Sequence, residues 1–95
     1  PEGALGLGDG FRVEARIVLS HVDQALRVPS AALVRDGKDW RVWVIHNGRA
    51  QSRQVLLKDR NAEFGVIEPG SVKAGERVVL YPAPLKENQR VKVSK

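Results

Sequence analysis

The chain has 95 residues and a formal net charge of +5, from 16 Lys and Arg against 11 Asp and Glu. That length supports one domain with one modest core, and no stretch holds the roughly 20 apolar residues that a membrane-spanning helix needs. With no cysteine and no methionine, disulfides, thiolate metal sites, cysteine nucleophiles and thioether copper sites are excluded together.

The basic residues are scattered. The densest stretch carries Lys86, Arg90, Lys92 and Lys95, and no run of five like charges occurs, which argues against a disordered nucleic-acid tail. A basic balance suits an acidic protein face, anionic lipid or nucleic acid, and says nothing about fold.

The opening PEGALGLGDG is half glycine and proline and reads as a loop. It has the look of a cut through a longer protein, so the lack of a targeting signal carries little weight. FRVEARIVL then alternates, with Phe11, Val13, Ala15, Ile17 and Leu19 on one face and Arg12, Glu14 and Arg16 on the other. Period two predicts a half-buried strand. SHVDQALR is polar and shows no clear period. In VPSAALV, Pro29 lacks a backbone donor, which predicts an edge or kinked segment; a single helical turn over Pro29 to Leu33 also fits, since proline suits a first helical position.

Asp36-Gly37 supplies the left-handed backbone of a tight reversal. WRVWVIH is the next strand, with Trp40, Val42, Val44 and His46 on one face and Arg41, Trp43 and Ile45 on the other. Both faces are partly apolar, so both are expected to be partly covered. Asn47-Gly48 is the strongest hairpin signal in the chain, and RAQSRQVLL returns antiparallel. Lys58 to Ala62 reads as a turn and EFGVIE as a short strand. Pro69-Gly70 and Lys73 to Glu76 are turns, RVVLY a strand, PAPLKENQ a loop and RVKV a last strand. No segment keeps a helical period over three turns. Frequent Val and Ile with turns about every ten residues predict an all-β fold, a small antiparallel roll or barrel.

Candidate chemistry is sparse. Ser30 has no local base and no glycine-flanked elbow, so it reads as a turn or cap hydroxyl. His21 and His46 are the only histidines and cannot complete a zinc site without further ligands. Glycines 3, 6, 8 and 10 lack the preceding strand and following helix of a phosphate-binding fingerprint. Asp36, Asp39, Asp59, Glu63, Glu68 and Glu76 fall in or beside turns, where carboxylates are solvated rather than paired for acid-base work. No enzyme activity, metal or cofactor is expected.

The order of these pieces resembles a known family. The run LRVPSAAL, a glycine turn, VWVI, NGRA, RQV, KAGERVVLYP and RVKV is similar to the C-terminal part of periplasmic adaptor subunits, the membrane fusion or HlyD-type proteins of Gram-negative tripartite efflux systems. Val28-Pro29 with Ala32-Leu33 matches the family's Val-Pro junction. Gly48-Arg49 matches its hairpin, Val55 its R-x-V strand, and Gly75, Val78 and Val79 its last turn and strand. The chain departs from the pattern at Glu68-Pro69-Gly70-Ser71-Val72, one residue longer before KAG, and at Glu76 in place of Asp. The resemblance implies that residues 1–24 are a lead-in and the last strand of an adjoining β-barrel domain, with residues 25–95 a membrane-proximal-type β-domain. It also implies an unpaired sheet edge, because the family's N-terminal segment adds strands that are not here.

The resemblance implies a non-catalytic structural adaptor in the periplasm, attached to or facing the inner membrane. Its partners would be the periplasmic face of an inner-membrane transporter, neighbouring adaptor protomers and, through other domains, an outer-membrane channel; no nucleic acid is expected. Turns rather than strands are free to meet a partner, so Asp36, Lys38, Asn47, Arg49, Asp59, Arg60 and Asn61 are the expected contacts. Val28, Pro29 and Ala32 form the expected domain junction, where Pro29 breaks the ladder so that the chain can pass from one β unit to the next.

Two rivals remain open at the level of sequence. A small basic β-barrel binding single-stranded nucleic acid would use Trp40, Trp43, Phe64 and Tyr81 as stacking platforms beside Arg35, Arg41 and Arg49. An accessory carbohydrate-binding module would present an exposed aromatic platform beside Asp or Asn.

Overall fold

In the structure, a computed structural model, residues 11–70, 72–82 and 85–93 are described. The glycine-rich lead-in of residues 1–10 lies outside them, as does part of the PAPLKENQ loop. The chain is all-β, as its alternation and turn spacing predict. In chain order the strands are β1 (Phe11–Ile17), β2 (Leu19–Ser20), β3 (Leu26–Pro29), β4 (Val34–Asp36), β5 (Asp39–His46), β6 (Arg49–Val55), β7 (Leu57–Arg60), β8 (Phe64–Ile67), β9 (Arg77–Leu80) and β10 (Gln89–Val93). Two single 3₁₀ turns, Val22–Gln24 and Ser30–Ala32, flank β3. The second is the helical turn that Pro29 and its small neighbours predict.

The β5–β6 hairpin carries the longest ladder, from Trp40 opposite Val55 to His46 opposite Arg49. Asn47 and Gly48 both take positive φ, 52° and 76°, as a two-residue type I′ turn demands. At the other end of β5, Gly37 (φ 63°) turns β4 back onto it. β9 pairs with β5 at Val44 and Ile45 and with β1 along Glu14–Ile17. β10 joins β1 to β6. The sheet order β9-β1-β10-β6-β5-β4, with β9 also on β5, closes five strands into a barrel and leaves β4 as an added edge strand. One pairing departs from the antiparallel expectation: β10 runs parallel to β1, with Val91, Lys92 and Val93 opposite Phe11, Arg12 and Val13.

The second sheet is four-stranded, in the order β2-β3-β8-β7. Pro29 ends β3 opposite Phe64. On its other side β3 meets β2 only at Leu26 and Arg27, so the missing Pro29 donor faces no ladder partner there. The chain then crosses from this sheet to the barrel through Ser30–Ala32. One core serves both sheets: Val28, Ala32, Val42, Val44, Ile67 and Val78 are completely buried, joined by Val18, Leu26, Val55 and Val72. Burying each of these valines is worth about 1.5–3 kcal/mol relative to exposure.

Three local expectations are corrected. The alternation of FRVEARIVL holds through Arg16 and then changes phase: Val18 is buried while Ile17 and Leu19 are 53% and 47% exposed. The cause is a handover between sheets, because Val18 N–H donates to the Glu76 carbonyl and the Val18 carbonyl accepts from Gly75 N–H, at 2.8 and 2.9 Å. RAQSRQVLL is likewise not one strand. It breaks at exposed Leu56, where β6 leaves the barrel and β7 enters the second sheet. The turn expected at Lys58 to Ala62 shifts to Asn61–Glu63, since β7 runs to Arg60 with an irregularity between Leu57 and Asp59.

Candidate functional site

β5 separates the expected contact turns. Asp36 and Lys38 lie at its start and Asn47 and Arg49 beyond its end, roughly 24 Å apart for eight residues of extended chain. The structure brings Asp59, Arg60 and Asn61 toward the first group. The Arg60 guanidinium lies 4.9 Å from the centre of the Trp40 ring, and Arg35 of β4 lies 5.3 Å from the same ring. Each such contact is worth about 0.5–1 kcal/mol at an exposed site.

Several of these side chains are engaged within the chain. Arg41 Nε donates to Asp36 Oδ2 at 2.7 Å, and Arg41 Nη1 to Ser52 Oγ at 2.9 Å. Arg49 donates to the Asn88 carbonyl at 3.1 Å. Asp59 Oδ1 accepts from the Arg60 amide at 2.8 Å. Asn61 Oδ1 accepts from the amides of Glu63 and Phe64, at 2.8 and 2.9 Å, and so closes the β7–β8 turn. Lys38 and Asn47 stand exposed at their hairpin tips.

The junction residues form a strap between the sheets. Val28 and Ala32 are fully buried. The Ala31 carbonyl accepts from Tyr81 N–H at 3.0 Å, and Ser30 N–H donates to the Glu63 carbonyl at 3.0 Å. The Ser30 hydroxyl donates to the Asn61 carbonyl at 2.6 Å and so fastens the strap to the β7–β8 turn. The strap is thus tied to β9 on one side and to the β7–β8 turn on the other.

A groove of about 790 Å³ opens beside this strap. Ala15, Arg16 and Ile17 of β1, Leu19 of β2 and Arg27, Val28 and Pro29 of β3 line it, with Glu63, Phe64, Arg77 and Val93. Its lining is mostly apolar, with three arginines and one glutamate. Arg16, Arg27 and Arg77 face one carboxylate, Glu63, and none of the three has a carboxylate partner among the described residues. Arg27 instead lies 4.9 Å over the Phe64 ring. None of these arginines was an expected contact, nor were Ile17 and Leu19. The available signal was Ile17-Val18-Leu19, three successive apolar residues that a period-two strand with one wet face does not carry.

The remaining candidates are dispersed. His21 tilts against Phe64 with ring centres 6.2 Å apart, and His46 is exposed at the end of β5. Among the described residues, no three of His, Asp and Glu gather as a metal cluster. Trp40 and Trp43 are both half-buried, and Trp40 packs on the core. Among the described residues no helix is long and apolar enough to cross a membrane. In comparison with known proteins, no family model matches this chain and no curated protein matches it.

Proposed function

We propose that this chain is a non-catalytic adaptor domain that joins an inner-membrane transporter to an outer-membrane channel in the Gram-negative periplasm. The observation that supports it is the strap from Val28 to Ala32. It crosses from one β-sheet to the other with both ends fully buried, so the two sheets form one stiff body. A coupling element must transmit position between partners, and a shared close-packed core does this because it has low compressibility. The hairpin tips at Lys38 and Asn47 project from opposite ends of β5, which suits a body that meets a different neighbour at each end. Neighbouring adaptor protomers and the periplasmic face of the transporter are the partners of this reading.

The nucleic-acid rival gains less from the same arrangement. It needs open aromatic faces, whereas the Trp40 ring already carries two guanidiniums.

The test is site-specific photocrosslinking in the intact parent protein, expressed in Gram-negative cells, with the photoreactive residue at Lys38 or Asn47. The expected result is a parent protein in the envelope fraction and a crosslink to a polytopic inner-membrane transporter or a second adaptor copy. A parent found in the cytosol, or crosslinked only to RNA, overturns the reading.

A further inference from the structure

Two of the exposed large apolar side chains stand at the groove, and each is paired with an arginine. Ile17 of β1 is 53% exposed and lies directly opposite Arg77 of β9. Leu19 of β2 is 47% exposed and lies directly opposite Arg27 of β3. Directly opposed residues share one face of a sheet, with Cβ atoms about 4.5–5.5 Å apart. Val18 between them is buried where the chain changes sheets, so each sheet brings one such pair to the groove. All four residues line it. Pro29 and Phe64, also opposed, extend the apolar lining. The Arg27 guanidinium lies 4.9 Å over the Phe64 ring, which holds its charge against that lining.

We infer that this groove binds a small amphiphilic carboxylate, an unbranched aliphatic chain that ends in one carboxylate. The groove of about 790 Å³ is of the size of small-molecule sites, which span about 300–1,000 Å³ and join an apolar lining to a few polar groups. An aliphatic chain laid on Ile17, Leu19 and Phe64 takes their exposed surface out of water, which is favourable. The arginine fork matches a carboxylate with two parallel hydrogen bonds. Arg27 and Arg77 have no carboxylate partner among the described residues, so neither must give up an ion pair to take one. Three arginines against the single Glu63 leave the lining with an excess of positive charge, which selects an anionic head over a cationic one. Binding of this kind is independent of the adaptor role, and either holds without the other.

The experiment is a titration of the 95-residue chain, ¹³C-labelled at Ile, Leu and Val methyls, with sodium decanoate below its micelle concentration. Controls are decyltrimethylammonium, decanol, acetate, and vesicles of phosphatidylcholine with phosphatidylglycerol. The expected result is saturable shifts confined to the groove methyls of Ile17, Leu19 and Val93. Decyltrimethylammonium should bind about tenfold more weakly than decanoate, and acetate should not bind. Arg27→Gln and Arg77→Gln should each weaken decanoate about fivefold or more while leaving decanol within about twofold. Arg90→Gln, exposed and outside the groove, should change neither. The spectra themselves report that each variant stays folded. No saturable shift, shifts spread over the whole chain, equal affinity for the cationic amphiphile, or unchanged decanoate affinity in both groove variants would each overturn the inference. So would binding to the vesicles with no binding of free decanoate.

Discussion

The Arg60 guanidinium sits 4.9 Å from the centre of the Trp40 ring. Arg60 ends the outer strand of the second sheet, and Trp40 begins the long strand of the barrel. The contact therefore adds a second tie between the two sheets, beside the β7–β8 turn to which the Ser30 hydroxyl of the strap also bonds. Arg60→Ala should lower unfolding stability by about 0.5–1 kcal/mol. Lys58→Ala, exposed on the same strand, should stay within about 0.5 kcal/mol. Urea unfolding followed by tryptophan fluorescence checks both, and equal effects of the two substitutions would remove the ring contact as the cause.

The strap should tolerate little change in volume. Ala32 is completely buried against a filled core, so Ala32→Leu should cost about 1–3 kcal/mol by overpacking. Val28→Ala should cost about 2 kcal/mol through lost burial and the space left behind. Val22→Ala, at a site 70% exposed, is the contrast and should be nearly neutral. Calorimetric midpoints of the three variants separate these outcomes.

Gly48 holds φ at 76° in the β5–β6 turn, and its carbonyl accepts from Val91 N–H at 2.9 Å. A β-branched residue at that φ costs about 1–2 kcal/mol. Gly48→Val should therefore destabilise the barrel by about that amount, while Asn47→Gly should leave it almost unchanged. Denaturant midpoints of both variants test the turn assignment.

Tyr81 is a bulky residue held at φ 51° with 75% of its surface exposed. It gains little from burial and carries the strain of a left-handed backbone, about 1–2 kcal/mol. Glycine relieves that strain, although it gives the unfolded chain more freedom. Tyr81→Gly should therefore leave the thermal midpoint unchanged or raise it by a few degrees, and a clear fall would show that the ring is packed in solution.

Much of the fold was legible wherever the cause is local. Asp36-Gly37 and Asn47-Gly48 fix two reversals by backbone chemistry, and the period of two in WRVWVIH marks a strand covered on both faces. Pro29 and its small neighbours marked the helical turn, whereas the edge segment expected at Pro29 is the end of an inner strand of the second sheet. What stayed hidden depends on residues distant in sequence. The switch at Val18 is set by hydrogen bonds to Gly75 and Glu76, and the exposure of Ile17 follows from it. The groove gathers residues from Ala15 to Val93, so no window of the sequence contains it. The parallel pairing of β1 with β10 is equally invisible, because neither strand's pattern encodes its neighbour.

That pairing sets the order of events when the chain is made. Among the described residues, both barrel partners of β1 come after residue 76, so the earliest described strand must wait for the latest ones. At synthesis rates of about 5–20 residues per second, that wait lasts several seconds. During it, Phe11–Ile17 is an orphan strand able to pair with whatever edge it meets. Closure by distant segments is also slow on its own account, because loop-closure entropy must be met before the contacts form. Folding of this barrel thus waits for β10, and any chain interrupted before Gln89 carries an open sheet.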